Sequence, residues 1–313
     1  MGVAVANDPS GPFVPRQSPI AGIHGIDPNV QIDKEGQAYI YWAQGNLYGA
    51  KLKENMLELA SEPVKLEGFP DKGLKEGPYL FERKGIYYMT YPHVADKTER
   101  LEYAMSDNPL GPFKYAGVLM DESTSGCWTN HQSVIEFKNQ WYLFYHNDDL
   151  SPNFDKNRSV RVDSLFFNED GSIRKVIPTL RGVGISNATN KINIDRFSAK
   201  SASGVEITFL DTLNKFKGWK TIFEKPDSWI KYNSISFGHP KYLNINARSA
   251  TGGTLIISIE GAPNKIIAKI NIRKGENWSV AKNNMLLAPA GVKNLIVQLQ
   301  GQGNVEVDWM SFE

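Results

Sequence analysis

Residues 22–42 read GIHGIDPNVQIDKEGQAYIYW, and this stretch decides the fold. Asp27 stands directly before Pro28, which disfavours helical backbone at Asp27 and predicts an extended conformation that fixes the direction of its carboxylate. A short apolar strand, an acidic turn and an aromatic strand follow. Short strands separated by turn residues predict an all-β protein.

The aromatic strand returns at intervals of about 50 residues. Its copies, each after a turn, begin at residues 36, 85 and 139, which are 49 and then 54 residues apart. The triplet Gly-Pro-Phe also occurs twice, at residues 11–13 and 111–113. Units of this length with several short strands are typical of propeller blades. Residues 1–182 thus hold about three blades and the outer part of another, too few to close a ring.

The pattern changes after residue 182. Around residues 179–187 the composition shifts to Gly, Ser and Asn, and residues 183–192 are predicted to be a linker. Residues 193–313 then contain alternating strands separated by turn signals. These strands are predicted at residues 242–247, 254–259, 265–272, 295–300 and 305–312. The second half is therefore predicted to be a β-sandwich (jelly roll), so that the whole chain is an incomplete β-propeller followed by a sandwich module.

Composition and charge restrict the partners. The chain carries 35 basic and 34 acidic side chains, which are interspersed and leave a net charge of +1. Such a surface has no electrostatic attraction for nucleic acid or for an anionic membrane. The single cysteine, Cys127, excludes an internal disulfide and argues against a cysteine-ligated zinc site. Residues 1–20 lack a signal-peptide pattern, so we expect any export signal to lie outside this sequence.

Two acidic residues occupy matched positions in successive repeats. Glu76 precedes Gly77 and Pro78, 49 residues after Asp27. Equivalent points of adjacent propeller blades face a common axis, so we expect both carboxylates in one cavity. Glycoside hydrolysis uses such pairs, because an acid with a raised pKa protonates the leaving oxygen while another activates water. The alternative is that both acids cap backbone N–H groups in turns.

Three motifs carry a resemblance to a known family. Residues 26–28 (IDP), 76–78 (EGP) and 128–133 (WTNHQS) occur in this order, and the last precedes an aromatic strand that ends in His146. Over residues 1–182 the chain resembles the second half of a glycoside hydrolase family 43 catalytic domain. The resemblance implies a five-bladed β-propeller and an inverting enzyme that acts mainly on β-xylosides and α-L-arabinofuranosides.

The resemblance also implies catalytic roles. Glu76 matches the general acid of the family, and Asp27 matches the aspartate that tunes the pKa of that acid and orients it. The family's general base, an aspartate in the first blade, has no match in this sequence. Its absence is expected to impair activity, because water needs a base on the opposite face of the sugar ring.

Three further residues are candidates for contacts at the propeller axis. His131 matches a histidine near the axis, where some family members hold a calcium ion or water; alternatively, it is a buried, hydrogen-bonded residue. Arg158 matches a last-blade arginine that contacts the sugar, and the alternative is a surface charge. Trp128 is either a wall of the sugar site or a core residue.

The C-terminal region resembles carbohydrate-binding module family 6, from residues 193–198 (NIDRFS) to residues 307–312 (VDWMSF). Such modules stack a sugar between two rings at the sandwich edge, and Phe223 and Trp278 are the candidate rings. The match is looser here. Glu306 stands where the family often has asparagine, so we expect sugar affinity to be weakened.

A structural calcium ion is the only cofactor that the resemblance allows, and none is required for the chemistry. Asp195 and Asp308 resemble the acids that hold calcium in the module, in addition to His131 in the propeller.

The sequence therefore favours a glycoside hydrolase acting on xylan or arabinoxylan of plant cell walls, in an extracellular or periplasmic location. Two alternatives remain open. In the first, the chain binds polysaccharide without hydrolysing it. In the second, it is a fragment whose open propeller exposes unpaired strand edges.

Overall fold

The computed structural model describes residues 1–124, 126–148 and 158–313. Nearly all regular structure in these ranges is β-strand, and the one helical element is a 3-10 turn at Lys215–Lys217. The all-β prediction is therefore confirmed. No helix in the described ranges is long and apolar enough to cross a membrane.

The chain divides into two compact units, Met1–Ile177 and Pro178–Glu313. The first unit contains short strands in four separate sheets. Its strands are β1 (Ala4–Val5), β2 (Val14–Pro15), β3 (Ile26–Ile32), β4 (Ala38–Ala43), β5 (Leu47–Lys51), β6 (Val64–Lys65), β7 (Tyr79–Arg83), β8 (Ile86–Val94), β9 (Glu99–Ser106), β10 (Lys114–Met120), β11 (Ser133–Phe137), β12 (Gln140–Asn147) and β13 (Ser159–Leu165).

Three of these sheets have the meandering antiparallel order of propeller blades. They contain β3 to β6, β7 to β10, and β11 to β13, while β1 and β2 form a separate pair. Consecutive strands pair with each other, as expected when short turns connect them. The repeats at residues 36, 85 and 139 thus correspond to separate sheets, whereas the family's blade number of five stays a prediction.

The aromatic repeats form the second strand of each sheet. β4, β8 and β12 each lie between two hydrogen-bonded neighbours. All six residues of β4 are buried, and the rings of Trp42, Tyr88 and Tyr91 are at most 1% exposed. A strand covered on both faces reads as a continuous apolar run instead of alternating, which explains the aromatic signature.

Side chains connect the first strands of neighbouring sheets. The Asn29 side chain on β3 accepts a hydrogen bond from the Leu80 N–H on β7 at 2.8 Å. The Tyr79 hydroxyl on β7 donates to the Val134 carbonyl on β11 at 2.9 Å. These bonds hold β3, β7 and β11 side by side, so the motifs that precede or begin these strands meet in one site.

The second unit is a sandwich of two six-stranded sheets. One has the order β14-β19-β24-β21-β22 with β16 on β19, and the other has β17-β18-β25-β20-β23 with β15 on β25. The strands are β14 (Ser186–Asn187), β15 (Ile192–Asn193), β16 (Ala199–Lys200), β17 (Val205–Phe209), β18 (Trp219–Phe223), β19 (Trp229–Gly238), β20 (Tyr242–Ser249), β21 (Gly253–Ile259), β22 (Ala262–Ile272), β23 (Gly275–Asn284), β24 (Ala290–Gln300) and β25 (Val305–Phe312). One apolar core includes residues from both sheets, as period-two alternation requires.

The predicted linker at residues 183–192 is partly wrong. Ser186 and Asn187 pair in parallel with β19, and Ala188 is 2% exposed within the sandwich core. The Gly, Ser and Asn residues suggested an unstructured connection, but their backbone groups add a short edge strand to the sheet. The structure places the boundary between the units earlier, after Ile177.

Candidate active site

Asp27, Glu76 and His131 meet where the first strands of three sheets begin. Asp27 lies in β3, Glu76 lies just before β7, and His131 lies just before β11. Each offers one side-chain atom to a group in which all the atoms lie within 4.8 Å of one another. All three side chains are partly buried. The geometry brings together the two acids and the histidine that the sequence placed near the axis.

The hydrogen bonds within this group are directional. His131 Nε2 donates to Glu76 Oε1 at 3.2 Å. The carboxylate of Asp27 accepts from the backbone N–H of Gly77, the residue after Glu76, at 3.3 Å. Asp27 therefore holds the peptide that carries Glu76, while His131 holds the Glu76 carboxylate itself.

The backbone of Asp27 differs from the prediction. Its φ is +57°, in the left-handed region, whereas the following proline predicted an extended backbone. The pairing of β3 with β4 is irregular between Ile26 and Asn29, and this bulge turns the Asp27 carboxylate towards Gly77. A left-handed non-glycine residue costs about 1–2 kcal/mol, and such strain is concentrated at functional sites.

Glu99 is a fourth member of the site that sequence reasoning missed. It is the first residue of β9 and only 1% exposed. Its Oε2 accepts a hydrogen bond from the Asn130 N–H at 2.7 Å, and its carboxyl lies against that of Glu76, a contact that is a hydrogen bond when one of the two carboxyls carries a proton. One sequence signal was present, because period-two alternation in β9 puts Glu99 on the same face as Leu101 and Tyr103. An acid in a row of buried apolar side chains is a candidate for a functional carboxyl.

The two glutamates have pKa values shifted in opposite directions. Burial, with a contribution from the hydrogen bond to Glu76, raises the pKa of Glu99 to about 8. The hydrogen bond from His131, followed by the one from Glu99, lowers the pKa of Glu76 despite its partial burial. The sequence predicted a raised pKa for Glu76, the proposed general acid, but the raised pKa is that of Glu99. Because the two carboxyls interact, they titrate together.

The pKa of His131 is raised. Burial alone would lower it, but the hydrogen bond to Glu76 and the charges of Asp27 and Glu99 outweigh burial. His131 therefore stays cationic to higher pH than an ordinary histidine. Its positive charge stabilises the ionised form of Glu76.

The motif at residues 128–133 connects these groups through four of its residues. The Trp128 carbonyl accepts from the Glu99 N–H at 3.0 Å, and the Asn130 N–H binds the Glu99 carboxyl. His131 binds Glu76, and the Gln132 side chain donates to the Gly77 carbonyl at 3.0 Å. The motif thus fixes the positions of both Glu76 and Glu99 through hydrogen bonds. The side chain of Trp128 is partly buried, and the residue contributes its backbone carbonyl to these hydrogen bonds.

His146 supports His131 from behind, and it is a second residue that sequence reasoning did not assign. Its Nε2 accepts the His131 N–H at 3.1 Å, and the two rings stack with centroids 6.1 Å apart. Burial, followed by the charges of Arg158 and His131, lowers the pKa of His146 to about 4. A neutral imidazole that accepts at Nε2 carries its proton on Nδ1.

Arg158 lies directly before β13 and is exposed. Its positive charge contributes to the lowered pKa values of both Glu76 and His146. It therefore lies within electrostatic reach of the proposed acid, as the sequence-based assignment to the sugar site requires.

Glu76 borders a cavity of about 220 Å³ in the first unit. Most of its other lining residues are small or apolar. They are Gly25, Ile26, Ala43, Gln44, Gly45, Leu74 and Lys75. An ionisable carboxyl with a shifted pKa at the wall of a largely apolar cavity is a candidate for acid–base chemistry.

Residues 1–173 match the family model described as glycosyl hydrolases family 43. The chain belongs to this family. Residues 197–313 match carbohydrate binding module (family 6), in agreement with the sandwich of the second unit. Both resemblances inferred from the motifs are confirmed.

The names of known proteins similar to this family 43 chain refer to xylosides, arabinosides, arabinoxylan or xylotriose. The xylosidase/arabinosidase of Bacteroides ovatus is 34% identical over 55% of this chain and 64% of the relative. The arabinoxylan arabinofuranohydrolase of Paenibacillus polymyxa is 25% identical over 97% of this chain and 54% of the relative. A solved family 43 enzyme of Xanthomonas citri complexed with xylotriose is 31% identical, with a TM-score of 0.51 over 56% of this chain and 64% of that one. The chain spans less than two thirds of the length of each of these three proteins.

The group of Asp27, Glu76 and His131 is a poor fit for the calcium ion expected near His131. Calcium takes six to eight oxygen ligands, whereas this group offers two carboxylates and one imidazole nitrogen. The nitrogen already donates to Glu76. Within the described ranges no other group of three or more such ligands lies this close together. The geometry therefore favours proton sharing over metal binding.

The predicted calcium acids of the sandwich engage protein partners. Asp195 is 3% exposed, with Oδ2 3.1 Å from Arg196 Nε, and Asp308 Oδ2 accepts from the Asn246 side chain at 3.0 Å. The Ile194 N–H donates to the Asp308 carbonyl, so Asp195, in the turn after β15, lies near Asp308 on β25. A structural calcium ion at this pair stays a prediction.

Phe223 was wrongly assigned as a sugar-stacking ring. It is 0% exposed and lies on β18 between Val205 and Val305 of the two adjacent strands. Position in the motif suggested the sandwich edge, but strand alternation turns this side chain into the core. Trp278 on β23 remains partly exposed, and its ring lies 5.1 Å from the Arg248 guanidinium.

Shortening Phe223 to leucine is expected to destabilise the sandwich by about 1 kcal/mol without changing sugar binding, because it removes buried contacts only. Urea unfolding of the Phe223→Leu variant measures the free-energy change. Phe216→Leu is the matched control, since that ring is fully exposed and its replacement should change stability by less than about 0.5 kcal/mol. Unchanged stability of Phe223→Leu combined with weakened sugar binding would restore Phe223 as a ligand contact.

Proposed function

We propose that this chain takes part in hydrolysing β-xylosidic or α-L-arabinofuranosidic bonds of plant xylan, with Glu76 as the proton donor. The contact that carries the proposal is the hydrogen-bonded group of Glu76, His131 and Glu99 beside the cavity at Glu76. The names of the similar proteins support the substrate class. A polysaccharide substrate places this activity outside the cell or in the periplasm.

The proposed reaction is a single displacement at the anomeric carbon. Glu76 protonates the leaving oxygen as the glycosidic bond breaks, while water attacks from the opposite face with the help of a second carboxylate. Asp27 positions the Glu76 peptide through Gly77, and Arg158 provides positive charge near the sugar. None of the residues in the described ranges is assigned to the base.

The test is hydrolysis of 4-methylumbelliferyl β-D-xyloside and α-L-arabinofuranoside by the 313-residue chain, with and without sodium azide. Azide is a nucleophile that needs no general base, so it replaces activated water. We expect slow release of the fluorophore that azide accelerates. A chain that releases no fluorophore in either condition contradicts the catalytic proposal.

We also propose that the sandwich binds xylan through Trp278, because the second unit matches a carbohydrate-binding module and this ring is partly exposed. With Phe223 in the core, a single ring contacts the sugar instead of a pair. Glu306 accepts hydrogen bonds from Lys220 and Arg248, so its carboxylate is occupied by protein donors. Because only one ring and few free polar groups contact the sugar, we expect the sandwich to bind xylan with modest affinity.

Trp278→Ala is expected to weaken xylan binding roughly tenfold, since a ring against a sugar contributes about 1–2 kcal/mol. Affinity electrophoresis in gels with soluble xylan measures the change. Val280→Ala provides the control, because Val280 lies on the same strand and is 55% exposed. Equal retention of the Trp278→Ala variant and the wild-type chain would exclude this ring as the platform.

A further inference from the structure

The carboxyl of Glu99 is rigidly held. The Asn130 N–H donates to Oε2 at 2.7 Å, and the backbone N–H of Glu99 donates to the Trp128 carbonyl at 3.0 Å. The side chain is almost fully buried, with 1% of the residue exposed. Glu99 therefore cannot turn towards solvent without breaking contacts on both its backbone and its side chain.

The contact between the carboxyls of Glu99 and Glu76 requires a proton. Two ionised carboxylates have no donor between them, so a hydrogen bond exists only when one carries hydrogen. Oε1 of Glu99 is buried and receives no N–H or O–H hydrogen bond from other groups of the protein. An ionised oxygen left there would be strongly disfavoured, whereas a protonated Glu99 donates to Glu76 and satisfies both groups.

The surrounding charges explain which of the two carboxyls, Glu76 or Glu99, carries the proton. Glu99 faces Glu76 and His131, and the latter also donates to Glu76. Asp27 acts on His131, and Arg158 acts on Glu76. Positive charge is therefore concentrated around Glu76, which is ionised, and the more deeply buried Glu99 keeps the proton.

We propose that Glu99 is a positioning residue that holds the Glu76 carboxyl through a shared proton and resupplies that proton during the reaction. This inference rests on the proposed role of Glu76 as proton donor. The proton passes from Glu99 to Glu76 and from Glu76 to the leaving oxygen, as the bond from that oxygen to the anomeric carbon breaks. Both carboxyls are then ionised beside the His131 cation, and one proton from solvent restores the pair.

The titration of the coupled pair supports this role. The last proton leaves it with the pKa of about 8 that burial and the Glu76 hydrogen bond give Glu99. The pair therefore retains one proton at neutral pH. Without Glu99, a proton on Glu76 would be held only in acid, because the hydrogen bond from His131 lowers the pKa of that group.

The pH dependence of kcat/KM for an aryl xyloside tests the inference. In the wild-type chain, activity is expected to fall above pH of about 8. In Glu99→Gln the fall should begin near or below the ordinary glutamate value of about 4.3, a loss of roughly a hundredfold or more at pH 7. The variant keeps a neutral donor towards Glu76, so its activity in acid should approach that of the wild type.

Two further variants separate positioning from a structural effect. Glu99→Asp keeps a carboxyl and should restore an alkaline limb above that of Glu99→Gln. Glu122→Gln changes another glutamate that accepts from Thr98, the residue before Glu99, and should leave the profile unchanged. Identical pH profiles of Glu99→Gln and the wild type would overturn the inference.

A second measurement needs no turnover. In protein labelled with ¹³C at the glutamate carboxyls, one NMR signal should titrate near pH 8, and Glu99→Gln should abolish it. Glu76→Gln should lower the pH at which this signal titrates, because it removes the neighbouring negative charge. Absence of such a signal overturns the shared proton. If the signal is present but the wild-type chain releases no product with azide, the proposed function fails while the carboxyl pair stands.

Discussion

Replacing Glu76 with glutamine is expected to lower kcat for xylosides with poor leaving groups by about 10²–10⁴, the range typical of general acid catalysis. The leaving oxygen then departs without a proton. Glutamine has nearly the same volume and its amide oxygen accepts from His131 Nε2, so the site should otherwise be preserved. Steady-state kinetics on xylobiose, whose sugar leaving group needs a proton to depart, measures the loss, with KM expected to change little.

Controls distinguish this effect from a general perturbation of the fold. Glu67→Gln alters an exposed acid of the same unit and should retain wild-type kcat. Urea unfolding should show that Glu76→Gln is as stable as the wild type to within about 1 kcal/mol, since surface and half-buried isosteric changes are well tolerated. A Glu76→Gln variant with wild-type kcat would remove Glu76 from the mechanism.

Replacing Asp27 with asparagine is expected to lower kcat by about 10- to 100-fold, corresponding to one hydrogen bond to a charged group. The amide oxygen still accepts from the Gly77 N–H, but the negative charge that helps to raise the pKa of His131 is lost. His131 then loses its proton at lower pH and no longer stabilises the ionised product state of Glu76. Rate measurements from pH 5 to 8 should show a deficit that grows with pH.

The left-handed backbone of Asp27 makes asparagine the appropriate substitution. Asparagine tolerates positive φ better than most residues, so Asp27→Asn should unfold at nearly the wild-type urea concentration. Asp27→Ala should be destabilised by about 1 kcal/mol, because alanine is strained in this conformation and leaves the Gly77 N–H unpaired. Equal kcat for Asp27→Asn and the wild type would show that the charge has no catalytic role.

The repeats in the sequence predicted the sheets, because the middle strand of each sheet needs large apolar side chains. A middle strand covered on both faces needs continuous large apolar residues, and β4 and β8 are buried along most of their length. The strand β12 has the same aromatic run, although Phe144 is 40% exposed. In the sandwich, alternation located the five long strands that the sequence predicted. The short edge strand β14 was not visible, because its two residues contribute backbone pairing and almost no apolar pattern.

The candidate site was predictable where function follows from position in a repeat. Asp27, Glu76 and His131 lie close to the starts of equivalent strands, so the repeat alone predicts that they meet. Glu99 is different, because it belongs to the third strand of its sheet and reaches Glu76 only through the pairing of β8 with β9. The assignment of Phe223 to the sugar site was wrong for a related reason. A motif identifies a position in the sequence, but the register of β18 decides on which face of the sheet that side chain lies.

The leaving-group dependence of Glu76→Gln tests the central claim most directly. Hydrolysis is compared across aryl xylosides, from methylumbelliferyl to 2,4-dinitrophenyl, in the variant and the wild type. A general acid matters least when the leaving group departs unaided. The account predicts that the variant loses activity steeply towards poor leaving groups and approaches wild-type rates with dinitrophenol. A loss of the same size for every leaving group would contradict the assignment of Glu76 as the proton donor.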